Sequence, residues 1–479
     1  MAIQFGGKQL DFRNPGLLET FEYIGYWWKP NDPENKVFGT LTFDSDDRVR
    51  LSLVGSFVNE RELITADSRS DPTIHGQTET GLAISLFEST ISKSQLRIPG
   101  IVGVEYVSRF ALCGMWIDEL EKALFQVCEF RFTNMEEWLA EQPFSSPKMA
   151  RSERLELDLS VRSSVAAAFP LDTIRGVLTT SAWYGTSDEV PRALGINFRS
   201  FCSIKFEEPL SIESYLARIN ELKNLASLCI GAPTFLDRVC FRAIISNNQN
   251  TDTGNSVLIY FSQNPKPTLL KENRIFQCLS LIDITNDNNI AIDTWFRFYE
   301  AARPCLDLFF GVWHEGLYLD VRFLLLAQSI EVFHRATQIG TYIDIDEFEE
   351  LLSIILGKVP SDTPPNIRDR ISGILKYANE FSLRKRLKDI RKNSKLLKTN
   401  DFNLLDNKLI EDIVANRNYR THYEKDENQE IADGIELFDL TERLKFIIVV
   451  LLFEQLGTNA HWLADKFRNH NKYYRYMKQ

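Results

Sequence analysis

The period of the apolar positions changes once along this chain. Up to about residue 170, apolar and polar residues alternate with the period of strands. Residues 38–43 and 49–53 are two such runs, and Ser45, Asp46 and Asp47 between them carry turn chemistry, so the stretch predicts a β-hairpin. Residues 82–87 and 101–110 continue the pattern. Residues 155–161 alternate strictly, as a strand with one dry and one wet face does. Glycines at 6, 7, 25, 39, 55, 76, 100 and 103 punctuate the region. Residues 1–170 therefore predict a β-rich module, either a sandwich or a barrel-like sheet.

From 171 to 288 the pattern is mixed. Ile212, Tyr215, Leu216, Ile219, Leu222, Leu225, Ala226 and Cys229 share one helical face, and Gly231 and Pro233 stop that helix. Strands are expected at 235–246 and 256–262, with a polar hairpin tip at 247–255. This section predicts an α+β continuation of the first module, in a sensor or regulatory role. From 289 to 479 the period is helical. Long apolar helices at 295–313 and 317–336 lead to shorter ones at 348–356, 367–380 and 382–397, then a helix from 404 into residue 416 and two more at 431–456 and 460–476. The expected class is α+β multidomain, a β-rich half followed by an all-α bundle.

Length and composition narrow this picture. A chain of 479 residues suffices for two or three domains. Seven scattered cysteines with no Cys-x-x-Cys pair predict reduced, buried thiols in a cytoplasmic protein, and no metal or cofactor is expected. The longest apolar run, 446–453, is far short of the ~20 residues a membrane span needs. It fits the innermost helix of a bundle. Net charge is −11, of which residues 291–479 carry −2 and residues 1–290 the remaining −9. That excludes a general nucleic-acid coat and leaves room for a local RNA site.

The candidate chemistry sits at Arg417, Asn418 and His422. RNA can be cut with few groups. A base takes the 2′-hydroxyl proton, an acid protonates the leaving oxygen, and a fixed cation holds the charge on the phosphate. Histidine suits the proton work because its unperturbed pKa is ~6.5. Arginine suits the last task because its planar fork grips phosphate oxygens and stays charged. Asn418 and His422 stand four apart and share a helix face. Arg417 is read as continuing the inward row of Leu409 and Ile413. Arg417 and His422 lie about 140° apart on an ideal helix at ~3.6 residues per turn, so the helix is expected to end near Tyr423, before the polar residues from 424 onward. The same residues would also suit a helix-end arginine and a histidine facing the negative helix terminus.

Arg417-Asn418, three residues and His422, set after long apolar helices with a further long helix behind, resembles the motif of HEPN ribonucleases. With the strand-rich first half, the chain is similar to the ApeA family of anti-phage defence proteins. The cues there are Phe38-Gly39, Leu41 and Phe43, then Ile74-His75-Gly76, and the run 84–110. The resemblance implies a metal-independent endoribonuclease leaving 2′,3′-cyclic phosphate and 5′-hydroxyl ends. It implies abortive infection, with an RNA such as tRNA cut after a phage cue. It also implies a homodimer or higher homo-oligomer pairing two motifs, and a first half that senses or restrains. Arg417 and His422 would be catalytic, with Asn418, Tyr423 and Glu331 in support. Arg420 is either a neighbour of the site or a solvated charge.

Two further features bear on RNA. Arg384, Lys385, Arg386, Lys388, Arg391 and Lys392, extended by Lys395 and Lys398, face one acid, Asp389. They are candidate RNA-binding residues or a solvated helix face. The tail from 466 to 478 mixes cations with Tyr473, Tyr474 and Tyr476, as single-stranded RNA sites do and as a frayed helix does. Glu331 and His334 stand one turn apart, as a metal pair or an acid–base dyad, as a buried acid holding the motif arginine, or as a structural polar pair. The aromatic cluster Tyr23, Tyr26, Trp27 and Trp28 is either a ligand platform or core. A rival from another class is a non-catalytic RNA-binding or dimerisation bundle with a ligand-binding β domain.

Overall fold

The computed structural model describes residues 14–44, 48–58, 70–95, 100, 102–140, 148–151, 155–158, 167–190, 193–243, 256–263, 279–287, 290–313, 317–423, 430–470 and 472–477. The turn at 45–47, residues 159–161, the tip at 247–255, Cys278, His314 and residues 424–429 lie outside them. Two compact units divide the chain, Met1–Phe296 and Arg297–Gln479.

The first unit is built on a closed six-stranded barrel. Strands β1 (Phe21–Lys29), β2 (Asp32–Phe43), β3 (Val49–Val54), β4 (Ser70–Thr78), β5 (Ala83–Gln95) and β6 (Gly103–Ser108) are antiparallel in the order β5-β4-β1-β2-β3-β6, and β6 returns to β5. The expected hairpin is present: Gly39 faces Leu53 and Thr42 faces Arg50 across β2 and β3. Closure removes free sheet edges, and alternate residues (Leu41, Phe43, Val49, Leu51 and Leu53) fill the interior. Gly76 is required by Trp27. The two residues pair across β1 and β4, and a Cβ at Gly76 would lie 2.3 Å from the indole ring.

The sheet then leaves the barrel through β7 (Phe110–Cys113), which pairs with β5. Beyond β7 come β15 (Ser256–Tyr260), β14 (Leu236–Ala243), β8 (Leu124–Phe132), β13 (Ala193–Ser211), β12 (Gly176–Val190) and β11 (Ala168–Leu171). Sections 1–170 and 171–288 thus share one continuous sheet. Strands β9 (Lys148–Arg151) and β10 (Leu155–Asp158) form a separate ribbon. Among the described residues the unit also carries the α-helices α1 (Met135–Leu139) and α2 (Ile212–Ile230). Helix α2 is capped by Ser211 and ends on Gly231 at φ +75°, as its sequence predicts. The six described cysteines are buried free thiols.

The second unit is helical. Helix α3 (Asp293–Gly311) is kinked at Ala302, two residues before Pro304. It is followed by α4 (Leu319–Thr337), α5 (Ile345–Gly357), α6 (Pro365–Leu375), α7 (Leu383–Asn393), α8 (Asn407–His422), α9 (Gly434–Gln455) and α10 (Ala460–Asn469). Residues 446–453 are all buried in α9, which packs on α4. A helix apolar all round belongs inside a bundle, so this run is core. No helix among the described residues is long and apolar enough to cross a membrane.

Candidate functional site

Helix α8 carries the motif. Asp406 caps its start, its side chain accepting from the amide of Leu409 at 2.8 Å. Tyr423 closes it in the left-handed conformation, φ +56°, directly after His422. The helix thus ends near Tyr423, as the sequence predicts, but Arg417 and His422 both lie within it and keep their ideal separation of about 140°. Leu409, Ile410, Ile413 and Val414 face inward, but Arg417 does not continue their row. The row ends instead on Asn416 and Arg420, both buried, and Arg417 stands on the flank with its side chain 36% exposed. One position of error on a helix turns a side chain by about 100°, enough to exchange the inward and flanking arginines.

Arg417 is held from two sides. Its Nη1 donates to the Asn418 Oδ1 at 3.3 Å, and its Nη2 lies 3.8 Å from the Glu331 Oε2 on α4. The guanidinium is thereby oriented while part of it stays open to solvent. His422 and Asn418 are exposed, Tyr423 is 74% exposed, and the Tyr419 and Tyr423 rings meet edge to face at 5.8 Å. His422 has no side-chain partner among the described residues. Arg417, Asn418 and Glu331 come together; His422 stands at the helix end, five positions on.

Glu331 and His334 part company. Glu331 turns to Arg417 and also accepts from Arg335 at 3.2 Å. His334 is fully buried between α4 and α7, with Nε2 3.0 Å from the Asp389 carboxylate and Nδ1 3.0 Å from the Arg386 Nη1. Burial holds the imidazole below its ordinary pKa, with Arg386 and Arg335 adding to the effect against Asp389. Glu380 joins the two halves of this network, pairing with Arg335 at 2.8 Å and with Arg386 at 3.3 Å.

Arg386 is consequently not an RNA-binding residue. It is 2% exposed and gives its Nε to the carbonyl of Phe381. Its place on α7 with Leu383, Leu387 and Ile390 puts it on the apolar face. Arg384 pairs with Glu411 at 2.5 Å, and Arg391 donates to Asn407 and the carbonyl of Leu405. Both tie α7 to α8. Lys385, Lys388 and Lys392 remain exposed. In the tail, Tyr473 is buried and stacks on His470, and the Tyr476 hydroxyl donates to Glu442, so two of its three rings are packed within the unit.

Residue-by-residue reading left out the Asn416–Arg420 pair. Arg420 donates to Asn416 Oδ1 at 2.7 Å, to Asp320 at 2.6 Å and to the carbonyl of Ala432 at 2.6 Å. It clamps the segment entering α9 against the motif helix. The available signal was Ile413, Asn416 and Arg420 at helical spacing.

In the first unit Trp27 and Trp28 are buried, whereas Tyr26 and Phe38 stand exposed as an edge-to-face pair at 5.7 Å. With Trp28, Lys36 and Gln77 they line a shallow groove of about 440 Å³ on the barrel. The Lys36 ammonium lies 5.1 Å from the Trp28 ring centroid. His75 is structural, its Nε2 3.1 Å from the carbonyl of Ile117.

Two family models match the chain: ApeA N-terminal domain 1 over residues 22–295 and Apea-like HEPN over residues 324–461. No curated protein and no solved structure matches it. The first match alone spans more than half of the chain, and the second contains α8 with Arg417, Asn418 and His422. HEPN domains are generally ribonucleases, and the ApeA-like group is a defence-related nuclease family. The chain belongs to the ApeA-like family, with an ApeA N-terminal domain 1 followed by an Apea-like HEPN domain.

Proposed function

We propose that this chain is an anti-phage endoribonuclease whose helical unit cuts RNA with Arg417 and His422. The observation that carries the reading is the setting of Arg417. Its guanidinium is oriented by Glu331 and Asn418, stays partly open to solvent, and precedes by five positions an exposed histidine at the helix end. A purely structural arginine would be spent on buried partners, as Arg420 is.

In the proposed reaction the 2′-oxygen attacks the adjacent phosphorus and the bond to the 5′-oxygen breaks. A base removes the 2′-proton and an acid supplies one to the departing oxygen. The products are a 2′,3′-cyclic phosphate and a 5′-hydroxyl. His422 serves as base or acid, and Arg417 neutralises charge on the phosphorane oxygens. A second His422, in a homodimer, takes the complementary proton role. Lys385, Lys388 and Lys392 supply the local positive field that draws RNA to α8. Structured RNA such as tRNA is the proposed target. The activity belongs to abortive infection in the cytoplasm, with the N-terminal unit sensing a phage cue and restraining the nuclease.

The test is cleavage of total cellular RNA in chelator by wild type and His422→Ala, with the ends mapped. Discrete cuts bearing cyclic phosphate from wild type alone support the proposal. Equal cutting by both proteins overturns the site assignment. The groove at Tyr26, Phe38 and Lys36 supports a second reading, a ligand-binding β domain on a non-catalytic bundle. That reading gains if Tyr26→Ala abolishes defence in cells while the purified protein shows no cleavage.

A further inference from the structure

Away from the motif helix, the tail of the chain brings cations to a corner that already holds two. Glu442 and Lys445 stand one turn apart on α9. Arg322 of α4 donates from Nη2 to the Glu442 Oε1 at 3.1 Å, and the Lys445 Nζ lies 4.4 Å from the ring centroid of Trp313, just past α3. Tyr476 stacks on Phe446 at 4.8 Å and gives its hydroxyl to the Glu442 Oε2 at 3.1 Å. The tail seated in this way sets Arg475 3.6 Å from the same carboxylate and the Lys472 ammonium 5.5 Å from the same indole. Four cations from α4, α9 and the tail meet there.

The corner is short of acceptors. Lys445 is 92% buried by its 8% exposure, and its ammonium has no hydrogen-bond or ion-pair partner among the described residues. Glu442, one turn away, is committed to Arg322, Tyr476 and Arg475. The Trp313 Nε1 and the Arg322 Nε are buried and likewise lack an acceptor. Ammonium, indole and guanidinium groups only donate, and buried donors left unmade are costly. The corner is also short of negative charge. Burial, then Lys472, Arg322 and Arg475, push the Lys445 amine below its ordinary pKa, and Glu442 opposes them. A water would supply acceptors and leave the charge. A compact anion supplies both.

Depth and charge select the anion. Lys445 is buried, the Arg322 side chain is 25% exposed and that of Arg475 is 47% exposed, so the corner has a buried floor and a solvent-facing rim. A phosphate inside an RNA strand carries one charge and has sugar on both sides. A terminal phosphate monoester carries about two charges and leaves three oxygens free for donors. Guanidinium forks and ammonium groups are the usual partners of such oxygens.

We infer that Lys445, Lys472, Arg322 and Arg475 form a binding site for a terminal phosphate monoester, carried by a free nucleotide or by the 5′ end of an RNA. The site is separate from the motif. Arg322 follows Asp320, the partner of Arg420, by two residues, which turns it about 200° around α4. The inference does not rest on the nuclease reading, because binding here and cleavage at α8 are measured separately.

The experiment is calorimetric titration of the full-length protein in neutral, phosphate-free chloride buffer. The probes are inorganic phosphate, AMP, adenosine and two short 2′-O-methyl RNA oligomers that differ only in a 5′-phosphate or a 5′-hydroxyl. The 2′-O-methyl group removes the nucleophile for cleavage, so binding is read without turnover. Inorganic phosphate should bind, adenosine should not, and AMP or the 5′-phosphorylated oligomer should bind about 10-fold or more tightly than its counterpart without phosphate. A gain confined to AMP makes a free nucleotide the source, and one confined to the oligomer makes it an RNA end. Lys445→Met should weaken phosphate binding by about 10- to 100-fold. Phosphate should raise the melting temperature of wild type and leave that of Lys445→Met unmoved. Arg475→Ala, at the exposed rim, should weaken binding by about 10-fold with unchanged circular dichroism. Failure of phosphate, AMP and the phosphorylated oligomer to bind would overturn the inference. So would adenosine binding as tightly as AMP, or wild-type affinity for phosphate in both variants.

Discussion

Arg386 fixes the proton on His334. The two side chains meet at 3.0 Å, Nη1 to Nδ1, inside the helical unit. A guanidinium only donates, so Nδ1 must be the acceptor and the ring is the neutral Nε2–H tautomer. Nε2–H then donates to Asp389, which fastens α4 to α7 from both ring nitrogens. Protonating Nδ1 would destroy the Arg386 bond and set two cations together in a buried site. Burial is the main cause of the lowered His334 pKa, and the Arg386 guanidinium adds to it.

A pH dependence follows from that depression. The unfolded histidine titrates near ~6.5 and the folded one lower. Below ~6.5 the unfolded chain holds more protons, so stability from this site is complete above that pH and is lost as pH falls toward the folded value. Urea unfolding at about pH 7.5 and about pH 5.5 should show wild type losing more stability than His334→Gln across the interval. Arg386→Met, which orphans a buried acceptor and Glu380, should cost about 3–5 kcal/mol at neutral pH. Equal pH slopes in wild type and His334→Gln would contradict the tautomer assignment.

The motif's two arginines should fail differently. Arg420→Ala strands Asn416, Asp320 and the carbonyl of Ala432. Asp320 is itself 58% exposed, so the expected loss is about 1–3 kcal/mol from the acceptors left without a donor, and lysine should not rescue it because it lacks the planar fork. Arg417→Ala breaks only a half-exposed pair, worth at most about 1 kcal/mol. Its melting temperature should stay near wild type while cleavage is abolished. Glu331→Gln should lower cleavage by up to about 100-fold by loosening Arg417 rather than removing it. A melting curve and a cleavage assay on the three proteins separate these outcomes. Arg417→Ala that unfolds, or that cuts at the wild-type rate, would remove it from the site.

Tyr423 offers a cleaner division between structure and chemistry. It holds φ +56°, a conformation a non-glycine residue adopts at a cost and glycine adopts freely. Its ring is mostly solvent-exposed. Tyr423→Gly should therefore hold or raise stability, by up to about 1 kcal/mol. If the phenol supports the reaction, cleavage falls in a protein that melts no lower than wild type. Unchanged cleavage would assign Tyr423 to helix termination alone.

The sequence was legible where one period governed many residues. The hairpin of β2 and β3, the stop of α2 at Gly231 and the core run in α9 all follow from local pattern. Barrel closure was not legible, because the pairing of β5 with β6 joins strands whose alternation is the same in a sandwich. At the motif, local chemistry gave the end of α8 at Tyr423. It did not give which arginine faces inward, since Arg417 and Arg420 are both compatible with the apolar rows and only the Asp320 and Ala432 partners decide. The cationic run misled at Arg386 for a related reason. A charge on the apolar face of α7 is stable only because His334 and Glu380 arrive from elsewhere in the unit.

Lys445 supplies the last expectation. It is 8% exposed inside α9, with its Nζ 4.4 Å from the Trp313 ring centroid. Burial pushes its amine down to about 7, and Lys472, Arg322 and Arg475 push the same way against Glu442. The unfolded lysine titrates near ~10.4, so between about 7 and ~10.4 the unfolded chain holds the extra proton. Wild-type stability from this site should rise with pH across that window. Below about 7 both states are charged and the whole cost of burying the ammonium is present. Lys445→Met keeps the aliphatic stem and removes the charge, and Glu442 keeps Arg322 at 3.1 Å and the Tyr476 hydroxyl. The variant should be more stable than wild type by about 1–4 kcal/mol near pH 6. Its advantage should shrink steadily toward pH 10. Melting curves of both proteins over that range test this, and a variant less stable than wild type at every pH would show that the ammonium is held by attraction rather than endured.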